Sequence, residues 1–216
     1  MKTWVDLIMV CLFLGNLAML GSSRISVCIR TAAVQGVLLG LLPLVHRDGW
    51  AIHSWILAAA SITIKGTAFP WLLFRAMREA NVRREVEPFV GFTGSLLIGM
   101  LALGLSRWIA SRLPLPYPAI SPLVVPVALF TMIVGLFLIV SRRQALTQVI
   151  GYIVLENGIF AFGLALIRET PVIVEMGILL DIFVAVFVMG ITIFHISREF
   201  DHIDTEQLTA LKDSAP

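Results

Sequence analysis

Three ionisable side chains lie near the middle of separate stretches that are otherwise apolar enough to cross a lipid bilayer. They are Lys65, Glu156 and Asp181. A charge at that depth costs roughly 2.5–3.5 kcal/mol even on insertion scales that assign low penalties, and such residues usually pair across helices and mark pathways for ions or protons. We therefore predict that these side chains meet inside a helical bundle and relay protons, or stabilise charge that moves through neighbouring subunits.

The stretch around Glu156 carries the most regular polar pattern. Gln148, Tyr152 and Glu156 recur every four residues, which places them on one helical face that runs from the end of the stretch to its middle. This face predicts a polar path toward Glu156. Gln148 and Tyr152 are also compatible with ordinary polar residues near the membrane surface, and the sequence leaves both interpretations open.

The stretch around Lys65 combines the lysine with a proline. Ser54, Ser61 and Lys65 are separated by seven and four residues, a spacing that puts them on one helical face. Pro70 has no backbone N–H, so the carbonyl of Gly66, four residues earlier, loses its helical partner. Irregular backbone inside a membrane is tolerated where it lines a cavity, which favours a water or proton site beside the lysine. The alternative is a simple proline kink, with Lys65 as a static partner of a carboxylate.

The third charged stretch adds further candidates for an ion pathway. Asp181 shares a helical face with Thr192 and His195, which lie eleven and fourteen residues further along the chain. Glu175 lies near the outer boundary of the same stretch, on a different face. Glu175 and His195 are included in the candidate pathway, although a histidine at the membrane surface is more simply explained as an ordinary interfacial residue.

Composition excludes a soluble globular domain. Of the 216 residues, 58% are hydrophobic and only 14% are charged, and the net charge is +2; the mean hydropathy is +0.94. The basic residues are spread over loops, which gives no support to nucleic-acid binding. Cys11 and Cys28 lack C-x-x-C spacing and neighbouring histidines, which argues against an iron–sulfur, zinc or nickel site. We therefore expect no cofactor, no metal and no catalytic residue in this chain.

The hydropathy pattern predicts an all-α, polytopic membrane protein of about seven transmembrane helices, because about 20 apolar residues span a bilayer. Lys2 precedes the first apolar run, but Asp6 lies within it and no A-x-A cleavage site follows, which favours a membrane helix over a signal peptide. The predicted spans are 4–21, 26–45, 52–74, 89–110, 122–140, 147–167 and 172–196.

A proline-rich connection is predicted to divide the chain. Residues 113–121 contain Pro114, Pro116 and Pro118, a composition typical of a stiff extended segment. This connection separates an N-terminal four-helix membrane segment, residues 1–112, from a three-helix membrane segment, residues 122–197. A polar tail follows at 198–216.

The lysines and arginines of alternate loops predict the orientation, since cytoplasmic loops carry an excess of these residues. Apart from Lys65, ten lie on one side and five on the other. This bias predicts an N terminus outside and a C terminus in the cytoplasm. Trp50 and Trp108 then fall near the outer interface, where amphipathic rings are expected.

Several segments resemble a known family. The second half of the chain reads SRRQALTQVIGYIVLENGIFAFGLAL, then IVEMGILLDIFVAVFVMGI and a tail HIDTEQLTALKD, and the third span contains SITIKGTAFP. These segments resemble component E of hydrogenase-4, a membrane subunit of energy-converting, formate-hydrogenlyase-type hydrogenases. From about residue 120 onward, the chain is also similar, more distantly, to the K subunit of bacterial complex I and to the C subunit of Mrp-type cation/proton antiporters.

The resemblance assigns an ion-conducting role to two carboxylates, with one departure from the K-type pattern. The first functional glutamate of K-type subunits corresponds to Ile153 here, two residues after Gly151, whereas this chain has Glu156 three residues later. Three residues are nearly one helical turn, so the carboxyl keeps about the same face and lies about 4.5 Å deeper. Asp181 corresponds to the second K-type glutamate, and Lys65 has no K-type counterpart.

The resemblance implies a non-catalytic subunit of a hydrogenase complex in the inner (plasma) membrane of a prokaryotic cell. It implies antiporter-like and quinone-site-like membrane partners, peripheral hydrogenase and iron–sulfur subunits, and translocation of protons or sodium coupled to electron transfer. Two alternatives stay open. The chain could be a structural membrane scaffold whose basic loop, residues 75–84, docks peripheral subunits, or a subunit of an Mrp-type cation/proton antiporter that has no redox module.

Overall fold

The computed structural model describes residues 2–45, 52–79, 88–114 and 121–166, and within these ranges the chain is helical without a β-strand. A short π-helical segment, called the π turn below, interrupts the third predicted span. The elements in chain order are α1 (Lys2–Gly21), α2 (Ile25–Val45), α3 (Ile52–Thr63), the π turn (Ile64–Ala68), α4 (Phe69–Glu79), α5 (Phe92–Arg112), α6 (Val124–Ser141) and α7 (Ala145–Leu166).

Five of these helices are long and apolar enough to cross a membrane, namely α1, α2, α5, α6 and α7. The all-helical membrane class predicted from the sequence is thereby confirmed. The predicted third span is helical from residue 52 to 79, in the three pieces α3, π turn and α4. The predicted span 172–196 and the tail 198–216 lie outside the described residues. The total of seven spans, the division of the chain and the orientation therefore stay predictions.

Helices α6 and α7 form an antiparallel hairpin whose backbones touch through glycines. A Cβ atom on Gly158 of α7 would lie 2.6 Å from the backbone N of Met132, and one on Gly151 would lie 2.9 Å from the backbone N of Ile139. Small residues allow this approach, and close packing of backbones is a main source of helix association in membranes. The hairpin therefore fixes the height of every α7 side chain against α6.

Two apolar clusters fill the space between α1, α2, α6 and α7. One cluster includes Leu20, Ile29, Phe130, Val134 and Ile150, and the other includes Met9, Leu12, Leu39, Ala128 and Phe160. Phe13 packs against both clusters, and its ring centroid lies 5.5 Å from that of Phe130. The polar groups described below are thus enclosed by close-packed apolar side chains.

Helix α5 presents large apolar side chains outward instead. Leu97, Met100, Leu101 and Trp108 are all exposed, Leu101 to 75%. In a bilayer such a face is solvated by lipid tails or covered by another membrane protein.

Polar contacts fix α1 against α6 at both ends. At one end, the Ser121 hydroxyl donates a hydrogen bond to Asp6. At the other end, Arg142, only 1% exposed, donates from Nη2 to the backbone carbonyl of Leu20 at 3.2 Å. Its guanidinium lies 4.8 Å from the ring centroid of Phe92 on α5. These contacts set the register of α1 relative to the α6–α7 hairpin.

Candidate functional site

The structure brings Lys65 and Glu156 into direct contact. Lys65 Nζ lies 2.7 Å from Glu156 Oε1. The two side chains are 4% and 3% exposed and come from segments 91 residues apart in the sequence. An N–H to O distance this short is typical of a charge-assisted hydrogen bond. The lysine and the glutamate thus form one buried pair between the π turn and α7.

Two further residues of α7 lie beside the ammonium group. Lys65 Nζ also donates to Asn157 Oδ1 at 3.3 Å and lies 5.8 Å from the ring centroid of Phe160. Asn157 is fully buried. Neither residue was among the predicted site residues. Phe160 shares the helical face of Glu156, because it lies four residues further along the helix, whereas Asn157 is turned by about 100° from Glu156.

The π turn changes the backbone hydrogen bonding beside Lys65. The N–H of Phe69 donates to the carbonyl of Ile64, five residues back. Pro70 has no N–H to donate to the carbonyl of Gly66, four residues earlier. Short π-helical segments of this kind are frequent at functional sites.

Helix α2 holds the aliphatic stem of the lysine. A Cβ on Gly36 would lie 2.7 Å from Lys65 Cβ, and a Cβ on Gly40 would lie 2.8 Å from Ile62 Cγ1. The two glycines are four residues apart, a spacing that allows two membrane helices to approach closely. Sequence analysis missed this contact, although the G-x-x-x-G pattern of residues 36–40 is the signal that could have found it.

The other predicted site residues have different surroundings. Gln148 donates from Nε2 to the backbone carbonyl of Arg142 at 2.9 Å, so its amide binds the turn of the hairpin. Tyr152 is half-buried and packs against the apolar cluster. Ser61 is buried in α3 beside Gly40. Asp181, Glu175 and His195 lie outside the described residues.

A second buried polar cluster was not predicted. Asn16 of α1 donates from Nδ2 to Thr131 Oγ1 of α6 at 2.8 Å, and Gln35 of α2 donates from Nε2 to Asn16 Oδ1 at 2.9 Å. All three side chains are at most 1% exposed. We call these residues the amide cluster. In the sequence, this cluster is indicated only by a single amide residue in each of two apolar runs. These residues carry no charge, so a prediction based on buried charges does not include them.

The buried pair has two forms that differ by the position of one proton. Charges in a low-dielectric interior are expensive, and a proton transfer that neutralises both partners removes much of that cost. Moving a proton from Lys65 Nζ to Glu156 Oε1 breaks an N–H bond, forms an O–H bond and leaves a hydrogen bond between the same atoms. The arrangement can therefore hold a proton or pass it on. Within the described ranges, no group of three His, Cys, Asp or Glu side chains could hold a metal ion.

Comparison with known proteins connects this geometry to a family. The family model described as NADH-ubiquinone/plastoquinone oxidoreductase chain 4L matches residues 123–213. An uncharacterised protein of Mycobacterium tuberculosis is 32% identical over 86% of this chain and 85% of its own length. Hydrogenase-4 component E of Escherichia coli K12 and that of Shigella flexneri are each 30% identical over 73% of both chains.

No solved structure matches the chain significantly. The resemblance predicted from the sequence is confirmed, both for component E and for the more distant K-type likeness of the second half. With at least five helices able to cross a bilayer, this multi-pass membrane protein belongs to the hydrogenase-4 component E family.

Proposed function

We propose that this chain is a non-catalytic membrane subunit of a multisubunit, energy-converting hydrogenase-type complex. Its Lys65–Glu156 pair contributes to the translocation of protons, or of sodium, coupled to electron transfer in other subunits. Family membership and the chain 4L match support a subunit of a complex I-like membrane complex. The observation that carries the ion-handling role is the 2.7 Å contact between Lys65 Nζ and Glu156 Oε1, both of which are buried.

Energetics favour a role in ion handling over a role in stability. Apolar residues of similar volume often replace a buried ion pair without loss of stability, or with a gain of about 1–4 kcal/mol. A pair of this kind is therefore weak evidence for a stabilising device. Ionisable residues at membrane depth usually belong to ion pathways, and the π turn places irregular backbone at the same point.

The proposed mechanism is a change in the charge of the pair. A positive charge that approaches Glu156 competes with Lys65 for the carboxylate and repels the ammonium group, which favours transfer of a proton from Lys65 Nζ to the ion path. When that charge leaves, Lys65 Nζ takes up a proton from the path and the ion pair forms again. For sodium, the cation would take the place of the ammonium group beside the carboxylate.

The remaining candidates extend this path. Tyr152 and Gln148 lie between Glu156 and the end of α7 that we assign to the cytoplasm. Asp181, Glu175 and His195 would continue the path in the seventh predicted span. The partners would be antiporter-like and quinone-site-like membrane subunits and peripheral hydrogenase and iron–sulfur subunits. The proposed location is the inner membrane of a prokaryotic cell, with the N terminus outside.

The test is proton transport by the assembled complex in inverted membrane vesicles. Glu156→Gln and Lys65→Met should each reduce the proton gradient formed per electron pair by at least several-fold, while the complex remains assembled. Glu79→Gln is the matched control, because Glu79 pairs with Arg75 at 2.8 Å on an exposed part of α4. Normal gradients in both variants of the buried pair would refute the proposed role.

The scaffold alternative is favoured by one observation, the exposed apolar face of α5 around Leu97 and Leu101. A scaffold would lose assembly when this face is altered and would transport protons normally without the buried pair. The antiporter alternative differs in its energy source, since transport would then continue without an electron donor. The same vesicles, with and without donor, separate the three functions.

A further inference from the structure

The amide cluster lies at nearly the same membrane depth as the Lys65–Glu156 pair. The reference point is the contact between Met132 and Gly158, where a Cβ on the glycine would lie 2.6 Å from the backbone N of Met132. Thr131 precedes Met132 and Asn157 precedes Gly158. Because the two helices are antiparallel, Thr131 and Asn157 lie one residue from this contact in opposite directions. At a rise of 1.5 Å per residue, they are therefore about 3 Å apart along the helix axes.

Helix α2 connects the two clusters directly. Gln35 belongs to the amide cluster, and the next residue, Gly36, touches the stem of Lys65. Neighbouring residues on a helix are turned by about 100°, so adjacent sides of α2 face the two polar groups. Helix α2 also packs against α7, which carries Glu156 and Asn157.

Three buried polar atoms at this level have no hydrogen-bond partner within the described part of the chain. They are Gln35 Oε1, Glu156 Oε2 and Asn157 Nδ2. An unsatisfied buried group costs about 1–3 kcal/mol, and more when the group is charged. Buried polar groups are therefore almost always bonded to protein or to ordered water, and a buried water usually makes about three such bonds.

The three atoms match the hydrogen-bonding capacity of water. Two of them are acceptors and one is a donor, whereas a water molecule offers two O–H groups and accepts through its lone pairs. Direct amide-to-amide bonding would satisfy Asn157 and Gln35 but leave the second carboxylate oxygen of Glu156 alone. Water has both the donors and the acceptor that the three groups require.

We propose that ordered water binds between the two clusters, donating to Gln35 Oε1 and Glu156 Oε2 and accepting from Asn157 Nδ2. The water makes the amide cluster a lateral branch of the buried pair, directed toward α1 and α6. Asn16 and Thr131 hold the amide of Gln35 in the orientation that leaves Oε1 available. The binding of water rests on the geometry alone, whereas its use in proton transfer rests on the proposed function.

The first test is a structure of the unmodified complex at a resolution that shows ordered water. Density within hydrogen-bonding distance of Gln35 Oε1 and of either Glu156 Oε2 or Asn157 Nδ2 is the expected result. A dry, apolar contact around these atoms would overturn the proposal. This measurement needs no variant and does not depend on proton transport.

The second test is proton transport by the complex that carries Gln35→Leu. This variant should lose the water density and show a several-fold lower proton gradient at unchanged hydrogenase activity. Ser106→Ala is the control, because Ser106 is equally buried and its hydroxyl bonds only its own helix, to the carbonyl of Ala102 at 2.7 Å. Lost water with normal transport in Gln35→Leu would overturn the branch.

The two proposals fail in distinguishable ways. Normal transport in Glu156→Gln would refute the role of the buried pair and leave the water site standing on its density. Impaired transport in Glu156→Gln, together with normal transport in Gln35→Leu, would refute only the branch. If Gln35→Leu does not assemble, Thr131→Val serves in its place, because it removes the acceptor that orients Asn16 and Gln35. Lost water with normal transport in that assembled variant would overturn the branch, and retained water would overturn the role of Thr131 and Asn16 in orienting the amide of Gln35.

Discussion

Gly36 and Lys65 meet where α2 has no side chain, and a Cβ on the glycine would lie 2.7 Å from Cβ of the lysine. The stem of the lysine is thus confined by α2, while its ammonium group is held by Glu156 and Asn157 on α7. The position of the charge depends on both helices. A change at Gly36, which carries no charge, should therefore alter the function of the pair.

Gly36→Ala should displace Lys65 and lower proton transport. The added methyl group clashes with a β-carbon, which cannot rotate away, and overpacking of this kind typically costs about 1–3 kcal/mol. Transport in vesicles and thermal stability of the purified complex are the measurements. Gly104→Ala is the matched control, because nothing lies within 4 Å of a Cβ on that residue. Equal transport by the two variants would show that the glycine does not position the lysine.

The Lys65–Glu156 pair should show strong coupling in a double-mutant cycle. Removing one partner leaves a buried uncompensated charge, so Lys65→Met or Glu156→Met alone should destabilise the chain by about 3–5 kcal/mol. The double variant with methionine at both positions should recover most of this stability and still fail to transport protons. Thermal unfolding in detergent and transport in vesicles give the two readouts. Additive losses of stability in the double variant would contradict the pair.

The sequence identified Lys65 and Glu156 because a charge inside an apolar run is rare and costly. It also predicted that the two side chains meet, but it did not identify the contact of Lys65 with Asn157, since residues on different helices share no sequence spacing. The helix that carries Glu156, predicted at 147–167, extends over Ala145–Leu166. That agreement reflects a strong hydropathy signal.

The third span shows why hydropathy alone was insufficient. Its apolar run suggested an end at residue 74, but the helix continues to Glu79. The final turns carry Arg75 and Glu79, which form a pair four residues apart. Pro70 indicated an irregular backbone, but the sequence did not predict a π register, in which the N–H of Phe69 bonds to the carbonyl of Ile64. The hydropathy pattern does not distinguish an α register from a π register.

Arg142 should be far more important for stability than its neighbour Arg143. Arg142 is buried and joins α1 and α5 through Leu20 and Phe92, whereas Arg143 is exposed and lies over the ring of Phe89. Arg142→Gln should therefore lower the amount of protein in the membrane and its unfolding temperature. Arg143→Gln should change both quantities little. Similar losses in the two variants would show that the carbonyl of Leu20 does not need this arginine.

Pro70→Ala should change the register of the π turn. Alanine supplies the N–H that proline lacks, so the carbonyls of Lys65 and Gly66 gain possible donors and the segment can return to a regular α-helix. A π-helical turn contains about one residue more than an α-helical turn. The return to an α register therefore rotates Lys65 by about 100° relative to α4, and this rotation takes Nζ away from Glu156. We therefore expect reduced proton transport together with lower thermal stability, because a gained backbone hydrogen bond contributes about 0.5–1.5 kcal/mol and an uncompensated buried charge costs about 3–5 kcal/mol. Pro126→Ala is the control, since Pro126 lies in the first turn of α6, where no N–H is required. The contrary outcome is normal proton transport in Pro70→Ala with the contact between Lys65 and Glu156 retained. It would mean that packing by α2 and α7 maintains the π turn without the proline.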